Sequence, residues 1–258
     1  MSNVLVAIKR VPDSSGEVLL TPDAQGVDGR FVGFTISNHE LCALELAVQI
    51  AVATGGEASV VTIGTEDAAE QLRSALALGC TAATHVVADP VGLGPSDVAE
   101  EIAAVVRAHE AEGRSHDLVL LGNDAADSGD FQVGIRLAYL LGRPVVAGAS
   151  VVEVTDGVAT VTAEGALGTD TYELPVPAVV TVLEGGVEPR YPTVSGRMKA
   201  KKIAIEERQP ASSSPRGAKR VKLTLPPPTP NQVQILGEGA TAVDNVKKVL
   251  AELGVFSR

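Results

Sequence analysis

Runs of uninterrupted apolar residues alternate with longer amphipathic stretches through the first half of the chain. Val4-Leu5-Val6-Ala7-Ile8 is apolar throughout and stops at Lys9-Arg10, as expected of a strand covered on both faces. Turn signals at Pro22-Asp23 and Gly26 then predict a hairpin-like excursion. Ser37 and Glu40 stand three apart ahead of a helical pattern that runs to about Ala53 and ends at Gly55-Gly56, the arrangement of a capping box. The alternation continues. A strand is predicted from Ala58 to Ile63, then a helix capped by Thr65 and carrying Leu72, Leu76 and Leu78. A short strand follows at His85-Val86-Val87-Ala88, and a helix opens at Ser96. Asp117 to Gly122 reads as another strand, with a polar loop and a helix from about Phe131 to Leu141 after it.

Strand–helix alternation of this kind predicts a parallel, doubly wound sheet. From about residue 147 the period shortens. Val151 to Val154, Val158 to Ala163 and Thr169 to Leu174 predict antiparallel strands around the Asp156-Gly157 turn, and Ala178 to Leu183 a further apolar strand. Residues 209–230 are rich in Pro, Ser, Lys and Arg and predict an extended arm, closed by an amphipathic helix from about Ala240 to Leu253. The expected fold class is therefore α/β. It is a doubly wound, mostly parallel open sheet of the Rossmann-like, adenine-nucleotide-binding type, with an antiparallel addition and an extended C-terminal arm. The expected division is 1–207 for the α/β domain, including a docking segment at 188–202, and 208–258 for the arm.

Composition narrows the functions. Apolar residues make up 45% of the 258, but aromatics only 3% with no Trp, so the stacking platforms of a single-stranded nucleic-acid binder are missing. A net charge of −11 argues against nucleic acid or an anionic membrane as partner. The cations are nevertheless clustered. Arg190, Arg197, Lys199, Lys201, Lys202, Arg208, Arg216, Lys219, Arg220 and Lys222 are almost half of all 21 Lys and Arg residues. No apolar run approaches a membrane span, so membrane insertion is not expected. Met1-Ser2-Asn3-Val4 runs straight into a strand pattern, so no signal peptide is expected either. Cys42 and Cys80 lack metal or redox spacing and read as small core residues in a reducing, cytoplasmic setting.

Open α/β sheets take ligands at the C-terminal ends of their strands, here near Ala7, Ile63 and Gly122 and the entry to the first helix at Ser37, Asn38, His39 and Glu40. The loop Asn123 to Gly134 is the richest candidate. Helix-terminal amides at Phe131, Gln132, Val133 and Gly134 suit a phosphate, and Asp127 and Asp130 suit ribose hydroxyls or helix capping. Neither GxGxxG nor a P-loop motif is present. His39, His85, His109 and His116 are scattered, with His109 and His116 expected to be solvated beside the Gly113-Arg114 turn. No nucleophile elbow or metal-ligand spacing appears, so no catalytic residue and no metal site is expected. Glu188, Arg190, Tyr191, Val194, Arg197, Met198 and Lys199 mix apolar anchors with cations, as a protein-docking loop does.

Taken in order, Val6-Ala7-Ile8-Lys9-Arg10-Val11-Pro12-Asp13, the 122–134 loop, Pro177-Ala178-Val179-Val180-Thr181, Glu188-Pro189-Arg190-Tyr191 and Met198-Lys199-Ala200-Lys201-Lys202 resemble the β subunit of electron-transfer flavoproteins over almost the whole chain. The resemblance implies an electron-carrier subunit rather than an enzyme. It implies a heterodimer with an α subunit that holds FAD, and AMP as a structural ligand in this chain. Flavin dehydrogenases of the acyl-CoA dehydrogenase type, which serve fatty acid oxidation, are the implied electron donors. The nucleotide contacts carried over are Ala7, Ser37 to Glu40, Ile63 and Asn123 to Gly134. The dehydrogenase-recognition loop carried over is Glu188 to Lys202, with Val194 as anchor. The Gln132-Val133-Gly134 form also resembles members that bind a second FAD in place of AMP and bifurcate electrons. A free-standing adenine-nucleotide-binding enzyme or sensor is the remaining alternative.

Overall fold

The computed structural model describes residues 1–255 except 14, 16, 212–214, 219 and 228–233. Parts of the expected arm, including Ser212, Lys219 and Pro228, thus lie outside the described residues. The chain divides into two compact units, Met1–Leu223 and Thr224–Arg258.

The first unit is built on a nine-stranded sheet. In chain order its strands and helices are β1 (Val4–Ile8), β2 (Val11–Pro12), β3 (Phe34–Thr35), α1 (Asn38–Thr54), β4 (Ala58–Gly64), α2 (Ala69–Leu78), β5 (Ala82–Val87), α3 (Pro95–Ala111), β6 (Leu118–Gly122), α4 (Val133–Leu141), β7 (Val145–Thr155), β8 (Val158–Gly165), β9 (Gly168–Pro175), β10 (Ala178–Val182), α5 (Val194–Ala200) and β11 (Ile205–Arg208). The order across the sheet is β11-β5-β4-β1-β6-β10-β7-β8-β9. Pairing is parallel from β11 to the start of β7 and antiparallel through β7, β8 and β9. The parallel sheet with its antiparallel addition is the expected fold. β2 and β3 form a separate two-stranded hairpin, with the Arg10 guanidinium 3.5 Å over the Phe34 ring.

Alternation along the central strands divides the core in two. Val4, Val6 and Ile8 join Leu118, Leu120, Ala178 and Val180 under α1 and α2. Leu5 and Ala7 join Val119, Leu121 and Val179 under α3 and α4. Successive strand residues point to opposite faces, so a strand apolar at every position is one that helices cover on both sides. Both cysteines are free and buried, and burial pushes the Cys80 thiol up to about 12.

The chain crosses from β5 over to β6 on the other side of β1. That reversal opens a crevice at the C-terminal ends of β1, β4 and β6. Around it, Ser37 caps α1 with the expected box, while Thr65 makes no side-chain cap bond to the 3₁₀ turn Glu66–Ala68. α3 begins at Pro95, one residue ahead of Ser96, and its Asp97 carboxylate accepts from the Gly94 N–H at 2.9 Å.

Two expectations are corrected, and one strand joins those expected. His109 and His116 are buried, not solvated. His109 Nδ1 and His116 Nε2 share a hydrogen bond of 2.9 Å at the far end of α3, and Thr84 Oγ1 lies 3.3 Å from His109 Nε2. His85 lies inside β5 and is buried, with Nε2 3.1 Å from the Gly64 carbonyl. Finally, 205–208 is an edge strand paired to β5.

Residues after β11 stay with the first unit as far as Leu223. Ala211 N–H donates to Glu101 and Leu223 N–H to the Ala24 carbonyl, while Arg216 pairs with Asp97 and Glu100. The second unit holds a 3₁₀ turn at Gly239–Ala242 and α6 (Val243–Glu252), which buries none of its residues.

Candidate functional site

A cleft opens at the C-terminal ends of the central strands. One wall is aliphatic and comes from Ala7 of β1, Val61 and Ile63 of β4, Leu121 of β6, Pro90 and Leu93 ahead of α3, and Val98 and Ile102 on α3. The other is polar, formed by Lys9, Glu40, the loop from Gly122 to Ala125, Asp130, and Val133 and Gly134 at the start of α4.

The α1 end is packed hard against the β6 end. A Cβ at Gly122 would stand 2.9 Å from Glu40 Cγ and 3.2 Å from His39 Cβ, so glycine is required for the close approach. Glu40 Oε2 accepts from the Ser37 N–H at 3.1 Å and from Ser37 Oγ at 2.9 Å. Burial pushes its carboxyl up to about 7 against these bonds and the nearby Lys9 charge. His39 Nδ1 accepts from the Glu184 N–H at 3.2 Å, and its Nε2 lies 3.1 Å from Asp124 Oδ1.

The loop between β6 and α4 is held from within. Asn123 N–H donates to the Val182 carbonyl, and Asn123 Oδ1 accepts from Thr181 Oγ1 at 2.7 Å. Gly129 turns at a φ of 66°, with its N–H on the Ala125 carbonyl. Ser128 Oγ donates to Asp130 Oδ2 at 2.9 Å. Lys9 Nζ pairs with Asp127 Oδ1 at 2.6 Å. α4 then starts with no side-chain cap, which leaves its first amides available to an anion.

Of the residues expected at the site, Ala7, Glu40, Ile63, Asn123, Asp130, Val133 and Gly134 line the cleft. Ser37 and His39 stand behind the wall and hold parts of it. Asn38 is exposed, Phe131 is exposed, Asp127 is engaged with Lys9, and Gln132 accepts from Arg136. Sequence reasoning missed Lys9 as a lining group, and had Asp124 only within the carried-over stretch Asn123 to Gly134, with no role of its own. Both are polar residues at strand ends, a signal that could have singled them out. It also missed Pro90, Leu93, Val98 and Ile102, whose apolar side chains carry no mark that separates a cleft wall from a core.

On the α1–α2 face, 188–202 contains the short helix α5, capped by Thr193 Oγ1 on the Gly196 N–H. Arg190 is bound to the buried Glu45 by two side-chain hydrogen bonds of 2.6 and 2.7 Å. Its charge is therefore tied inward. Arg73 of α2 donates to the carbonyls of Ala200 and Ile203. Tyr191, Val194 and Met198 remain exposed, Val194 at 81%.

Residues 30–213 match the electron transfer flavoprotein domain family. The electron transfer flavoprotein subunit beta of Syntrophomonas wolfei is 33% identical over 226 residues, 87% of this chain and 86% of that protein. The chain belongs to the electron transfer flavoprotein β subunits. The namesakes from Bacillus subtilis and Mycobacterium tuberculosis are 33% identical over 207 residues and 34% over 211, each covering 80% of this chain and 78% of the relative. Membership in this family places the chain in electron transfer. Among the described residues, no helix is long and apolar enough to cross a membrane.

Proposed function

We propose that this chain is the β half of a cytoplasmic heterodimeric electron carrier, not an enzyme, and that it holds AMP in the cleft as a structural ligand. The observation that carries the reading is the pairing of an aliphatic wall with an uncapped α4 terminus. A purine fits against Ala7, Ile63, Leu93 and Val98, and a phosphate fits the amides at Val133 and Gly134, with Lys9 within the same cleft. FAD, held mainly by the α subunit, supplies the redox chemistry. This chain's part is to complete the carrier and to present 188–202 to flavin dehydrogenases of the acyl-CoA dehydrogenase type. Val194 is the proposed anchor, with Tyr191 and Met198 beside it and Arg197 and Lys199 on the rim. Glu188 opens the segment, and Arg190 tethers it through Glu45.

Nucleotide stoichiometry tests the proposal. The chain is co-expressed with its α subunit, the purified complex is denatured, and the released nucleotides are separated and counted. One AMP and one FAD per heterodimer are expected. Two FADs and no AMP would replace this reading with the bifurcating one.

A further inference from the structure

We infer that Asp124 reads the sugar hydroxyls of the nucleotide and that His39 is its positioning residue; the inference rests on the nucleotide-binding reading above. A nucleotide offers phosphate oxygens, sugar hydroxyls and a base. A carboxylate repels the phosphate and matches hydroxyl donors, because an ionised carboxylate only accepts hydrogen bonds.

The cleft and its loop contain four acidic side chains, and three are already engaged. Glu40 is buried, and its Oε2 takes two bonds from Ser37. Asp130 Oδ2 takes the Ser128 hydroxyl. Asp127 is paired to Lys9 and does not line the cleft. Asp124 lines the cleft, and neither of its oxygens takes a hydrogen bond among the described residues; Oδ2 is the one a ligand can reach, because no solvent reaches Oδ1. His39 Nε2 stands 3.1 Å from Oδ1, close enough for electrostatic attraction but off the line of a hydrogen bond. A carboxylate left this way is an acceptor awaiting a donor.

His39 holds it in place. The Glu184 N–H donates to His39 Nδ1 at 3.2 Å, which places the ring proton of the neutral imidazole on Nε2, facing Asp124. The carboxylate is thereby oriented from behind by a ring whose tautomer the backbone sets. Asp124 also sits on the loop that runs from the aliphatic wall at the β6 end to the α4 terminus. In the proposed ligand the sugar joins base to phosphate in the same order.

The test is equilibrium dialysis of the full chain with AMP and with 2′,3′-dideoxyAMP. The wild type is expected to bind AMP about tenfold or more tightly than the dideoxy nucleotide, as a hydrogen bond to a charged group implies. Asp124→Ala is expected to bring the ratio to about one while leaving dideoxyAMP affinity within about threefold. Asp124→Asn, which keeps an acceptor oxygen in the same volume, should retain part of the preference. His39→Phe should lower the preference without weakening dideoxyAMP, and His39→Gln, which keeps a donor and an acceptor, should restore part of it. Equal binding of both nucleotides by the wild type, or equal weakening of both by Asp124→Ala, would overturn the sugar assignment and leave AMP binding intact. Absence of AMP binding by the wild type would remove the nucleotide reading and this inference together.

Discussion

His116 and Glu40 are the two buried titratable groups whose charge most strongly ties stability to pH, and they act in opposite directions. Burial drives the His116 imidazole down to about 4, helped by His109, Arg143 and Arg114 around it. His109 is lowered as well, first by burial and then by Arg114, with Glu206 opposing. The folded chain therefore binds fewer protons at His116 than the unfolded chain does. The stability this contributes is complete above about 6.5 and lost as pH falls toward about 4. Glu40 is raised from 4.5 to about 7, so its contribution is complete below 4.5 and lost as pH rises through 7. Between these limits the slopes oppose. His116→Gln is expected to make stability fall more steeply, or rise less, with increasing pH than in the wild type, and Glu40→Gln to do the reverse. Urea midpoints of the three proteins from pH 4.5 to 7 check this. Parallel curves would mean that neither group titrates between the folded and unfolded states as argued. The capping box placed Glu40 in the sequence, but nothing there announced the burial of His116. His109 and His116 flank a polar turn, and only the return of 205–208 as an edge strand brings Glu206 and Arg208 near His109.

Elements were more legible than residues because periodicity records which faces are covered. The unbroken apolar runs of β1 and β6 specified strands buried twice, and Ser37 with Glu40 specified the start of α1. β11 was illegible because three of the four residues in Ile205-Glu206-Glu207-Arg208 are charged and the segment gains its place only by pairing to β5. Gly134 shows how one residue serves both element and site. Its expected role was to admit a phosphate, yet a Cβ there would lie 2.2 Å from Thr181 Cγ2 on β10. Thr181 cannot swing aside freely, since its hydroxyl donates to Asn123 Oδ1 and accepts from the Gly148 N–H. Gly134→Ala is therefore expected to destabilise the fold by about 1–3 kcal/mol through overpacking of α4 on β10. Thr181→Ser removes the obstructing methyl and keeps the hydroxyl, so the double variant should regain most of the loss. Urea unfolding of the single and double variants tests it. A Gly134→Ala protein as stable as wild type would show that α4 shifts without cost.

At the scale of the whole chain, the boundary between the two units decides where a separable arm can begin. Composition placed it near 207, where Pro and basic residues start to dominate. The charge pairs of Arg208 with Glu112 and of Arg216 with Asp97 and Glu100 instead bind the following residues into the first unit. Removing everything after Glu207 would strip Arg208 from β11 and expose the carboxylates that it and Arg216 neutralise. A cut after Leu223 leaves those contacts whole. Among the described residues, the unit beyond it buries none. α6 carries Val243, Val246, Val249 and Leu250 on a ten-residue helix, with Lys247, Lys248 and Glu252 interspersed. A helix this short is marginal in water unless its apolar stripe is covered. We propose that the α subunit supplies that cover. The chain ending at Leu223 is then expected to remain folded, with a thermal midpoint close to the full chain's, and to lose heterodimer formation on size exclusion with the α subunit. A shortened chain that still forms a tight heterodimer would show that the arm is not the docking element. One that unfolds when expressed alone would show that residues 224–258 stabilise the first unit itself.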